Sequence, residues 1–119
     1  MVVEKDIDLE SMEKSGVYNG KYFVLGGTVA ILEKAPEKIV RSRELLQKIE
    51  KEKDIKEVIL AFSVNVEGEN TSEYLSNFLQ DIAAKRHLKI STLGRGLSTG
   101  SEVEYADNET LKNALKNRV

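Results

Sequence analysis

The chain has no cysteine, one proline and one histidine among its 119 residues. Without cysteine there is neither a disulfide nor a thiolate-ligated zinc site. A lone histidine, His87, leaves no ordinary all-protein zinc centre. No apolar run approaches the roughly 18 residues of a membrane span, and the first residues lack the basic and apolar regions of a secretory signal. The formal charge is only −2, so no general basic field advertises nucleic acid. Any DNA contact must then fall on a local basic face or on parts outside this chain. These absences leave a cytoplasmic, single-domain α/β protein as the expectation.

What is present fits that class. Apolar residues make up 40% and charged residues 32%, ordinary for a globular domain. Short apolar runs at Met1–Val3 and Tyr22–Leu25 read as strands, the unbroken run Val58–Phe62 as a strand buried on both faces, and Leu88, Ile90 and Thr92 at alternate positions mark a fourth strand. Between them lie helical patterns: a short one opened by Asp6 and Asp8 and stopped at Gly16, one from Pro36 to Lys53 with Ile39, Leu46 and Ile49 on one face, and one carrying Tyr74, Leu75, Phe78, Leu79, Ile82 and Ala83. Thr28 to Ala35 reads as a connecting loop anchored by Val29, Ile31 and Leu32. Gly94, Gly96 and Gly100 mark a further loop, and Asp107 or Asn108 can cap a last helix through Leu115. Residues 1–119 thus form one domain, with a core over about 1–93 and a loop and helix over 94–119. Alternation of β and α implies a mostly parallel sheet with helices on both faces.

The chemistry concentrates at the elbow after the third strand, Ser63-Val64-Asn65-Val66-Glu67-Gly68-Glu69. In α/β sheets the carboxyl ends of the strands are where sites form. If the first and third strands are neighbours, Glu4, Asp8, Asn65, Glu67 and Glu69 converge at one edge. Such carboxylates could hold a hard divalent cation such as magnesium and serve phosphodiester chemistry. The bland alternative is that each acid caps a helix start or faces solvent. Elsewhere, Arg41 and Arg43, or Lys85, Arg86 and Lys89, are candidate phosphate contacts, with solvated helix ends as the alternative. Tyr22 sits in strand context and reads as core rather than as a base-stacking platform. The glycines at 94, 96 and 100 lack the lysine of a phosphate-binding loop.

Four stretches together resemble a known family. Val2-Val3-Glu4 with Asp8, followed by Glu67-Gly68-Glu69, is similar to the Toprim domain, and more closely to that of the RecR recombination mediator family. Tyr22-Phe23-Val24-Leu25-Gly26-Gly27 resembles that family's Tyr-His-Val-Leu-Gly-Gly signature. Val58-Ile59-Leu60-Ala61 through Val66-Glu67-Gly68-Glu69 and Thr71 resembles its Val-Ile-Leu-Ala and Val-Glu-Gly-Glu-Ala-Thr segment. Gly96-Leu97, Gly100 and Glu104-Tyr105-Ala106-Asp107 resemble its ending.

The resemblance implies a Rossmann-like three-layer sandwich, with four strands in the order 2-1-3-4 and an extra C-terminal helix. It implies a role in recombinational DNA repair as one subunit of a ring-shaped clamp, in the bacterial cytosol and nucleoid, with RecO-like and RecF-like proteins as partners. DNA would be bound by the complete ring and only weakly by this domain, which would be a monomer or dimer alone. By residue matching, Glu4, Asp8, Glu67 and Glu69 are the functional acids. Catalytic Toprim domains carry Asp-x-Asp where this chain has Ser63 and Asn65, which implies a non-catalytic domain with no required cofactor. Complete RecR proteins also carry a helix-hairpin-helix region and a zinc module, so the chain is expected to be their C-terminal portion, with zinc confined to the part not seen here. The competing readings are a metal-dependent phosphodiesterase or primase-like enzyme on the same fold, and a flavodoxin-like module.

Overall fold

Five apolar residues in a row, Val58 to Phe62, offer no polar face, and the chain uses them as the middle of its sheet. The computed structural model describes residues 1–16, 18–93 and Leu115. Four strands, β1 (Val2–Val3), β2 (Phe23–Val24), β3 (Glu57–Ala61) and β4 (Lys89–Thr92), form one sheet in the order β2-β1-β3-β4. Every pairing is parallel: Val2 lies opposite Phe23 on one side and Leu60 on the other, and Glu57 opposite Lys89. The expected strand order is the observed one.

Side-chain alternation along β1 and β3 divides the core in two. Val2, Val58 and Leu60 face a cluster with Leu45, Ile49, Leu75 and Leu79, drawn from α2 (Ser42–Lys51), α3 (Val66–Phe78) and the joint before α4 (Gln80–Arg86). Val3, Ile59 and Ala61 face the opposite way, against Met12 of α1 (Asp6–Ser15) and Leu115. Helices therefore cover both faces. Each fully buried Leu or Ile contributes about 1.5–3 kcal/mol of transfer free energy, so these two clusters carry the fold.

Helix α1 stops where the sequence predicts, at Gly16 with φ 68°, a left-handed turn that costs glycine nothing. The helix expected over Pro36–Lys53 is instead two pieces. A single 3₁₀ turn covers Pro36–Lys38, and α2 begins only at Ser42. The reason is tertiary: the Arg41 N–H donates to the Leu25 carbonyl at 3.0 Å, pinning the chain beyond the end of β2. Ile39 consequently points outward while Val40 is buried, and Leu45 and Ile49 form the inward face of α2. The loop anchors also differ. Val29 is buried, but Ile31 and Leu32 stand exposed. The loop at Gly94–Gly100 and the cap at Asp107 or Asn108 lie outside the described residues.

Candidate functional site at the carboxyl edge of the sheet

Because all strands run the same way, the connections leaving β1, β2 and β3 open on one edge. The chain turns from β1 toward β2 on one side and from β3 toward β4 on the other, so β1 and β3 flank the switch point where α/β folds bind their ligands.

The elbow after β3 is set by backbone contacts. Asn65 is extended, and its Oδ1 accepts the Gly68 N–H at 2.7 Å, capping α3. The Asn65 N–H donates to the Ser63 carbonyl at 2.9 Å. A Cβ on Gly68 would lie 1.9 Å from that same Ser63 oxygen. Glycine is therefore required by close approach, which explains the residue between the two glutamates. Glu67 and Glu69 flank it in the first turn of α3 and are exposed, where the helix dipole favours negative charge.

The loop after β2 is tied onto this elbow. Gly26 and Gly27, with φ 93° and 149°, turn the chain through conformations that side-chain-bearing residues avoid. The Thr71 hydroxyl of α3 donates to the Glu67 carbonyl at 2.7 Å and accepts the Val29 N–H at 2.8 Å. The Asn70 amide donates to the Val29 carbonyl at 2.8 Å, and the Thr28 hydroxyl reaches Glu67 Oε1 at 3.5 Å. Ser42, fully buried at the start of α2, shares a 2.9 Å hydrogen bond with the Tyr74 hydroxyl.

The predicted acids meet different fates. Asp8 is 4% exposed, and its Oδ2 accepts the Lys5 N–H at 3.0 Å, closing the first turn of α1. Glu4 is half-buried, and its carbonyl accepts the Gly26 N–H at 2.9 Å, joining the ends of β1 and β2. Asn65 caps α3, and Glu67 and Glu69 face solvent. Among the described residues no three His, Cys, Asp or Glu side chains stand together as metal ligands do. The described acids thus share one edge of the sheet while making separate contacts.

A family model of the Toprim domain matches residues 1–94, and a model of the RecR C-terminal region matches residues 96–119. The chain belongs to the Toprim family. Within it the chain is similar to proteins named Recombination protein RecR: 39% identical over 118 residues to that of Lactobacillus acidophilus, covering 99% of this chain and 57% of the relative. It is 40% identical over 117 residues to that of Syntrophobacter fumaroxidans, covering 98% of this chain and 56% of the relative. The chain thus spans a little over half the length of the curated relatives it matches.

In this Toprim domain the basic candidates do not form one face. Arg41 and Arg43 are exposed beside the start of α2, near the carboxyl edge. Lys85, Arg86 and Lys89 lie at the opposite edge, where α4 ends and β4 begins. Arg86 is already engaged: its guanidinium donates to the carbonyls of Ile49 and Glu52, the second at 2.9 Å, and so caps the end of α2. Lys85 borders a groove of about 600 Å³ between α2 and α4, with Leu46, Phe78 and Ile82 in its lining and Glu50, Lys53 and Asp81 beside it. Tyr22 packs against the α1-side core, edge-on to Tyr18 at 5.4 Å. Burial pushes its phenol pKa up, with Glu13 and Tyr18 adding to the effect.

Residue patterns alone passed over the tie made by Thr71 and Asn70. A signal was available. Gly68, Thr71 and Leu75 share the inward stripe of α3, and a hydroxyl on such a stripe needs a partner.

Proposed function

We propose that this Toprim domain serves recombinational DNA repair as a non-catalytic, partner-binding part of a RecR-like mediator. The observation that carries the reading is its similarity, at 36–40% identity over nearly its whole length, to proteins named Recombination protein RecR. The non-catalytic half of the proposal is supported by the donor set. Ser63 and Asn65 bring no charge to the elbow, and Asn65 Oδ1 and Asp8 Oδ2 each accept a backbone N–H. Magnesium, which demands near-octahedral oxygen ligands, is poorly served by such donors, so no cofactor is assigned to the edge. Zinc is left to the zinc module of complete RecR proteins, outside this chain.

The partners we infer are RecO-like and RecF-like proteins, met in the bacterial cytoplasm. Among the described residues no helix is long and apolar enough to cross a membrane. Exposed Glu67 and Glu69 repel DNA and suit a basic protein surface, where charge governs specificity and on-rate. DNA contact is assigned to the complete ring-shaped clamp rather than to this domain, which alone would be a monomer or dimer.

Calorimetry with a RecO-type protein tests the reading. Binding should weaken about tenfold or more when Glu67 and Glu69 are both changed to Lys. Unchanged affinity would remove the acidic edge as the interface. Magnesium-dependent cleavage of single- or double-stranded DNA, abolished by Glu4→Gln, would replace the proposal with a phosphodiesterase.

A further inference from the structure

Among the described residues, the large apolar side chains that stand exposed are Ile7, Ile31, Leu32, Ile39 and Val66. All five lie on one edge of the domain. Ile7 is in the first turn after β1, Val66 opens α3 after β3, and the other three belong to the connection leaving β2. Scattered exposed leucines need no explanation, but restriction of all of them to the edge that opens the sheet does. Leu32 is 89% exposed and Ile31 62%.

Their loop is not slack. Val29 is held at both its N–H and its carbonyl by Thr71 and Asn70. The Glu33 N–H donates to the Ala30 carbonyl at 3.1 Å, and the Glu33 carboxylate accepts the Ala35 N–H at 3.0 Å. At the far end the backbone of Arg41 is bonded to Leu25. A loop fixed in this way presents Ile31 and Leu32 to solvent at little further entropy cost on binding, which is how preorganised contacts gain affinity.

Charge selects the occupant. Among the described residues of this edge, 4–10, 26–41 and 63–70 contain eight acids and four bases, a net −4, whereas the whole chain carries −2. An anionic lipid surface or a nucleic acid would be repelled by that field. We infer that the carboxyl edge is a preformed docking surface for a basic amphipathic protein segment, whose apolar face takes Leu32 and Ile31 while its lysines or arginines meet Glu67 and Glu69. This deepens the partner-binding reading above and rests on it for the biological setting. The recognition itself, an apolar face bordered by opposite charge, is the helix-in-groove mode of peptide binding.

The probe is a synthetic 18-residue helical peptide of leucine and lysine with one apolar face. It is titrated into the isotope-labelled chain beside a scrambled peptide of the same composition and a leucine–glutamate counterpart. Saturable binding of the basic amphipathic peptide is expected, with amide shifts at Ile31, Leu32, Ile39 and Val66. Affinity should fall about tenfold for Leu32→Ser, a change at an open position that the fold does not need. It should fall several-fold for Thr71→Val, which alters no exposed residue but releases the loop. Equal affinity of the scrambled or acidic peptide, undiminished binding by Leu32→Ser, or shifts confined to the α2–α4 groove would each overturn the inference. A RecO-type protein that fails to bind the unaltered chain would count against the repair reading alone, since the peptide titration does not depend on it.

Discussion

The two ends of the sheet are built on opposite terms. At the carboxyl edge, backbone bonds from Gly26 to Glu4 and from Arg41 to Leu25, with the short side chains of Asn65, Asn70 and Thr71, lock the connections, which present acids and apolar side chains outward. At the amino edge, residues 13–22, 48–57 and 84–90 hold nine bases against five acids, a net +4, and long side chains rather than tight turns join the elements. Arg86 reaches across to the end of α2, Lys21 and Glu52 pair at 3.3 Å, and the Met1 amine donates to the Lys21 carbonyl at 2.7 Å. Part of this polarity follows from helix dipoles, which favour acids where helices begin and bases where they end. The difference teaches where change is tolerated. An edge closed by tight turns and short buried side chains resists added atoms, whereas long side-chain clasps can be lost one at a time.

Gly68→Ala is the sharpest way to break that contrast. Alanine would gain up to about 1 kcal/mol of helix propensity. Its Cβ, however, would sit 1.9 Å from the Ser63 carbonyl oxygen, so the elbow must move. A net loss of at least about 3 kcal/mol is expected in urea unfolding. At the other edge, Arg86→Met should cost about 2 kcal/mol, because two carbonyls at the end of α2 lose a charged donor. The loss should appear as a lower unfolding midpoint with the sheet arrangement unchanged.

The Met1 amine gives a pH test of the amino edge. Burial, with Lys48 nearby, outweighs Glu57 and lowers its pKa from 8.0 to about 6. The unfolded chain then takes up the proton more readily than the folded one. Stability should fall as pH drops from about 8 to about 6 and level off below, by on the order of 2 kcal/mol, and acetylation of the amine should flatten that part of the profile. The smallest effect belongs to Leu32→Ser. It should change stability by less than about 0.5 kcal/mol, since the side chain covers nothing, and a larger loss would mean that the loop tip packs more than its exposure indicates.

Much of the amino-to-carboxyl layout was legible in the sequence. Apolar runs marked the first three strands and alternate apolar residues the fourth, βα alternation implied a parallel sheet, and Gly16 stopped α1 where a left-handed residue was needed. The strand order came with the family resemblance, since periodicity does not say which strands are neighbours. What escaped was tertiary. Pro36 to Lys53 has a continuous helical pattern, yet the bond from Arg41 to Leu25 breaks it. Ile31 and Leu32 look like anchors because apolar residues in a loop have no period to show which way they face. The candidate site was legible as a location in the fold, but an acid whose oxygen caps a helix, as Asp8 Oδ2 does, reads the same in sequence as one aimed at a ligand. Arg86 looked like a free cation for the same reason.

The double use of the Thr71 hydroxyl also has a dynamic consequence. Its buried oxygen both gives and receives a hydrogen bond, so the amide of Val29, in a loop, is closed off as a strand amide would be. In hydrogen–deuterium exchange Val29 should stand out as a slow amide among faster loop neighbours, opening only when the first two turns of α3 open with it. Loop and helix would then exchange as one unit, although more than forty positions separate the two bonded residues in the chain.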